Sequence, residues 1–118
     1  EYVDQQLAEA DPNDCLLGAR FFNIEPPYLP FYQAQLAALD AFATAQKGAP
    51  FAALDADTRH GLAGAVAAGN PEGWAGPPAI LLYLLVRSDA VDVVWGTPEG
   101  FESLGIPYMA HIMPPTKW

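Results

Sequence analysis

The chain has 118 residues, enough for one domain around one core and small for an enzyme that carries its own cofactor fold. Fourteen acidic residues against five basic ones give a formal charge of −9, so there is no basic stripe to neutralise phosphates or hold an anionic membrane surface, and nucleic-acid binding is excluded. Hydrophobic residues make up 52% of the chain and charged residues 16%, far from the balance of a disordered polypeptide.

In chain order, Glu1 to Ala10 places Val3, Leu7 and Ala10 at helical spacing, and Asp11-Pro12-Asn13-Asp14 stops the pattern with turn chemistry. Cys15 is the single cysteine, which forbids an internal disulfide and leaves either a buried thiol, the commoner state, or a bond to another chain. From Arg20 to Pro30 the aromatic, proline-punctuated stretch around Phe21, Phe22, Ile24 and Tyr28 reads as ordered loop. A helix is predicted from Leu29 to Gln46, with Tyr32, Leu36, Leu39 and Ala43 on its apolar face and Phe31, Ala38 and Phe42 beside them. Gly48 and Pro50 end it.

A second helix starts at the N-cap Asp55, carries Leu62 and Val66 one turn apart, and ends at Gly69-Asn70-Pro71. Gly61 and Gly64 weaken it unless it is packed. After a loop around Trp74, a third helix is expected from Pro78 to about Val94, with Pro78 in its first turn and Gly96 as its cap. Ile80, Leu81, Leu84 and Leu85 should be its buried residues. The apolar run within it, Ala79 to Val86, is far short of the roughly 20 residues that span a membrane. No internal repeat, heptad array or low-complexity linker interrupts the chain.

The segment from Val94 to Trp118 is aromatic yet full of breakers. Gly96, Gly100 and Gly105 are costly to order, and Pro98, Pro107, Pro114 and Pro115 lack donors. Neither an amphipathic helix nor a laddered strand is expected to run through it. Trp95, Phe101, Tyr108, Met109, Ile112, Met113 and Trp118 would each gain roughly 1.5–3 kcal/mol from full burial, so something must cover them. One cover is the chain's own core; the other is a partner, since Trp, Tyr and Met are enriched at interfaces as rigid anchors.

Chemistry finds little support. The only serines are Ser88 and Ser103 and the only histidines His60 and His111, and neither serine sits in a Gly-x-Ser-x-Gly elbow. Two distant histidines and one cysteine do not make a zinc or iron–sulfur spacing. Gly96-Thr97-Pro98-Glu99-Gly100 lacks the Lys-Ser/Thr of a phosphate cradle and the G-x-G-x-x-G order of a dinucleotide loop, and reads as a tight turn. Asp89 and Asp92 beside Arg87 read as a structural or surface group rather than an acid–base couple.

Glu1-Tyr2-Val3-Asp4-Gln5-Gln6-Leu7, Tyr28-Leu29-Pro30-Phe31-Tyr32 leading into Leu36-Ala37-Ala38-Leu39-Asp40, Phe51-Ala52-Ala53-Leu54, and the Trp95 to Tyr108 segment together resemble the gluconate 2-dehydrogenase subunit 3 family. The resemblance spans nearly the whole chain and lies in the order and spacing of the pieces. It implies a small, mostly helical, non-catalytic subunit on a large FAD-dependent oxidoreductase of the glucose-methanol-choline (GMC) type. It further implies a twin-arginine export signal upstream, a periplasmic location and, in some assemblies, a cytochrome c subunit. Where relatives end in a Tyr-Gly-Gly-Asn stretch with Gly-Trp and Gly-Tyr-Pro-Gly, only Gly96, Gly105 and Pro107 line up here, which leaves the substrate class open.

The expected fold is therefore all-α, a small irregular helical domain over residues 1–118 with a long Gly/Pro/aromatic C-terminal loop. Residues 94–118 are expected to dock on the partner through Trp95, Phe101, Tyr108, Met109, His111 and Trp118. No cofactor or metal is expected in this chain; FAD belongs to the large subunit. The alternative is a stand-alone helical binding domain with an aromatic pocket around Trp74, Trp95 and Tyr108. In a third reading, His111 reaches the partner's active site.

Overall fold

The computed structural model describes Leu7, Ala8 and residues 22–107, and among these residues the fold is all-α, with four helices and no strand. Leu7 and Ala8 are helical; the rest of the expected N-terminal helix, and Cys15, lie outside the described residues.

Helix α1 (Leu29–Lys47) has proline in its first turn and ends at Gly48, whose φ of 77° lets its N–H reach Thr44 O at 2.8 Å. Only a residue without a Cβ takes that left-handed turn without strain. A single 3-10 turn (Phe51–Ala53) follows, tied back to α1 by Phe51 N–H donating to Asp40 Oδ1 at 3.0 Å. Helix α2 (Ala56–Ala67) is capped as expected by Asp55, which accepts from Thr58 N at 2.9 Å and from Thr58 Oγ1 at 2.7 Å. Those bonds favour the charged carboxyl and hold its pKa below the usual value.

Helix α3 (Ala79–Trp95) begins one residue after Pro78, which is its N-cap rather than part of its first turn. Its first free amide is satisfied at a distance: Ala79 N–H donates to Asn70 Oδ1 at 2.9 Å. Helix α3 runs back along α1. Its Leu85 packs with Tyr28 and Tyr32 near the start of α1, and its Ala79 packs with Phe42 and Ala43 near the end, together with Leu62 and Val66 of α2. Trp74 closes this second cluster edge-on against Phe42 at 5.9 Å, its indole N–H donating to Pro77 O at 2.8 Å.

The inward stripe of α1 differs from the expected one. Tyr32, Gln35, Ala38 and Phe42 face in, whereas Leu36 is 52% exposed. Two contacts that sequence periodicity does not encode turn the helix this way. Gln35 is fully buried because its Nε2 donates to Pro78 O at 3.3 Å, and its Oε1 is left without a partner. Ala38 lies so close to the 74–78 loop that a Cβ on Gly76 would stand 2.5 Å from the Ala38 methyl. On α3 the buried stripe is Ala79, Leu82, Leu85 and Asp89; Ile80, Leu81 and Leu84 are only half-buried.

The breaker-rich tail also holds a helix that the sequence reading left out, α4 (Pro98–Ser103). The residues that argued against regular structure build its ends. Thr97 Oγ1 accepts from Gly100 N at 3.1 Å as N-cap, Pro98 sits in the first turn, and Gly105, at φ 66°, closes the C-terminus. There Ile106 N donates to Phe101 O at 3.1 Å and Gly105 N to Glu102 O at 2.9 Å, a Schellman pair. Gly100 is buried against the end of α3, where a Cβ would come within 2.4 Å of Val94 O.

Candidate functional site

Of the expected docking residues, the structure describes two. Trp95 ends α3 and is 43% exposed, and Phe101 is half-buried on α4, the helix that folds back against that end. Tyr108, Met109, His111 and Trp118 lie outside the described residues. Around Trp95 the last turns of α3 leave Val91, Val93 and Val94 exposed, and Leu104 and Ile106 beyond α4 are exposed as well. Single exposed apolar residues are ordinary, but a concentration of them at one end of a helix is the pattern of an interaction surface.

A larger feature lies along the domain and was not anticipated. Helices α1, α2 and α3 do not close over one another on one side, and the gap is a groove of about 410 Å³ lined almost wholly by apolar atoms. Leu36 and Leu39 come from α1, Phe51 from the 3-10 turn, Ala63 and Val66 from α2, and Leu82, Tyr83, Val86, Arg87 and Ala90 from α3. Leu36, displaced outward by the burial of Gln35 and Ala38, forms one lip, and Val86, 48% exposed, forms another. The signal for it in the sequence was the apolar breadth of α3: with Leu82 and Leu85 turned to the core, Val86 and Ala90 are left exposed.

A second, more open cleft of about 650 Å³ lies between the C-terminal end of α1, α2 and the Pro71-Glu72 loop, with Lys47, Gln46, Asp57, Thr58 and Glu72 on its walls. Among the described residues the buried carboxyl group is that of Asp89. Its Oδ2 accepts from the Tyr32 hydroxyl at 3.2 Å, but burial, helped by the Asp92 charge, raises its pKa above the usual value. Asp89 is thus an interhelix bond between α1 and α3 rather than half of a pair with Arg87, which is exposed. Among the described residues no three His, Cys, Asp or Glu side chains converge, and no helix is long and apolar enough to cross a membrane.

The aromatic pocket of the alternative reading is not assembled from Trp74 and Trp95. Trp74 packs beside Ala79 at the start of α3, and Trp95 ends that helix, about 24 Å further along at 1.5 Å per residue.

Fold and surface together define a small all-α domain that presents an apolar groove and an apolar helix end. The chain matches the family model described as gluconate 2-dehydrogenase subunit 3 over residues 1–113, and it belongs to that family. It is accordingly an accessory subunit of an oxidoreductase, with a heteromeric partner implied by the family. No curated protein and no solved structure matches it.

Proposed function

We propose that this chain is the non-catalytic small subunit of a heteromeric oxidoreductase whose large subunit is an FAD-dependent flavoprotein of the GMC type acting on sugars or alcohols. The observation that carries the reading is the family match over residues 1–113; the unpartnered apolar surface of α1 and α3 is what such a role requires. FAD, held by the large subunit, supplies the oxidation chemistry, and in some assemblies a cytochrome c subunit carries the electrons onward. The complex works in the periplasm, to which the folded pair travels on a twin-arginine signal borne upstream on this chain.

The physical contribution of this subunit is mass action. A chain that binds only the folded partner stabilises it by RT ln(1 + [L]/Kd). The melting temperature of the purified flavoprotein should therefore rise with the concentration of added small subunit and, above the Kd, keep rising with the logarithm of the free subunit concentration. A melting temperature independent of added subunit rejects the stabilising role. For export, fractionation of cells lacking this chain should leave the flavoprotein in the cytoplasm; a periplasmic flavoprotein in those cells rejects that part.

A further inference from the structure

We propose that the groove between α1, α2 and α3 receives an amphipathic helix of the large subunit, one that presents aliphatic side chains to Leu36, Val66 and Val86 and carboxylates to Arg59 and Arg87. This rests on the accessory-subunit reading and adds to it the face used and the chemistry of the segment that fills it.

Three observations converge on that occupant. The groove is apolar and is walled by residues of three helices, a setting in which the apolar face of a partner helix docks through anchors at i, i+3, i+4 and i+7. Its free charges are positive in a chain whose net charge is −9. Arg87 lines the groove, and Arg59 stands one turn from Ala63 on the same ridge of α2. Both arginines are exposed and neither is ion-paired among the described residues. Asp40, next to Leu39 on α1, is not among the lining residues; it accepts from the Phe51 amide. A second copy of this chain would instead bring two molecules of charge −9 together, which self-repulsion opposes.

The groove is also continuous with the docking region read from the sequence. Leu82, Val86, Ala90 and Val94 form one i, i+4 ridge of α3, leading from the groove floor to the exposed end that carries Trp95. One partner lying along α3 covers both.

The test is site-specific photo-crosslinking in the native complex. A photoreactive phenylalanine analogue replaces Leu36 or Val86 in the tagged chain expressed in its own host, and the crosslinked peptides are sequenced. Crosslinks within an aliphatic, Asp/Glu-bordered segment of the co-purifying flavoprotein are expected. Crosslinks to a second copy, to this chain's own residues or to a Lys/Arg-bordered segment overturn the proposal, as does an assembled complex that gives no crosslink. In the last case the accessory role stands and only the face is wrong; a chain that elutes alone rejects both. As a second reading, Arg59→Glu with Arg87→Glu should raise the Kd for the flavoprotein by about tenfold at low salt and less at high salt. Lys47→Glu, in the separate polar cleft, should change it less than twofold at equal helix content. Equal effects of the two charge reversals overturn the proposal.

Discussion

The contact of Gly76 with Ala38 is specific enough to be tested by a double-mutant cycle. Gly76 does not have a positive φ, so alanine suits its backbone; the obstacle is the Ala38 methyl, 2.5 Å from where a Cβ would stand. The next neighbours, Trp74 Nε1 at 3.7 Å and Ala38 Cα at 3.9 Å, are at ordinary contact distance. Gly76→Ala should therefore cost about 1–3 kcal/mol, the range for an extra methyl forced into a packed site. Ala38→Gly should cost about 1 kcal/mol in helix propensity, with some loss of buried methyl surface besides. In the double variant the new methyl occupies the space the old one vacated, so the cost should stay near that of Ala38→Gly instead of reaching the additive sum of about 2–4 kcal/mol. Equilibrium urea unfolding followed by tryptophan fluorescence gives all four free energies. Additivity within about 0.5 kcal/mol would refute the claim that this one contact sets the approach of the 74–78 loop to α1, and with it the reason given for the outward turn of Leu36.

Other outcomes follow from the same coordinates. Gly61 and Gly64 on α2 have open space where a Cβ would be, so Gly61→Ala and Gly64→Ala should each stabilise the domain by up to about 1 kcal/mol in urea titrations; a loss at either site would mean that α2 is packed there. Asn70→Ala removes the side-chain oxygen that accepts from Ala79 N–H and should lower stability by about 1 kcal/mol, read from the same unfolding midpoints. Asp89 has its pKa raised in the folded protein, so the folded state holds the proton more tightly and stability falls as pH rises from the unfolded value of 3.8 through the folded one. Asp89→Asn keeps an acceptor for Tyr32 and lacks that loss, so it should exceed the wild type in stability at pH 7 and lose its advantage as pH falls toward 3.8; a constant difference across that range would contradict the burial argument.

Helix limits were legible in the sequence because their signals are local. Gly48, Asp55 and Gly96 stand where the chain ends or begins a helix, and each acts within its own turn. Helix α4 was missed for the converse reason: Pro98 and Gly105 were counted as breakers, and Thr97 was read into a tight turn, when their spacing is that of an N-cap, a first-turn proline and a left-handed closing residue. Which face of α1 is buried was not legible. Gln35 reads as polar and Leu36 as core, and their exchange depends on Pro78 O and Gly76, some forty residues away in sequence.

The site divides in the same way. Trp95 was named as a docking residue from its aromatic, breaker-rich surroundings, and the structure gives its place, exposed at the end of α3. The groove escaped notice because no single segment encodes it; it exists only when Leu36, Val66 and Val86 are brought together by three helices. Arg87, read with Asp89 and Asp92 as one charged group, proves to belong to the groove while Asp89 points to Tyr32. Neighbours in sequence on a helix are about 100° apart around its axis, so adjacency there separates side chains more often than it joins them.

The central claim, that this chain works as the bound subunit of a flavoprotein, is most directly tested by native co-purification from its own host, with mass and visible absorbance recorded on the eluted material. The account predicts a stoichiometric complex of this chain with a larger protein that shows a flavin spectrum. A colourless monomer would contradict it.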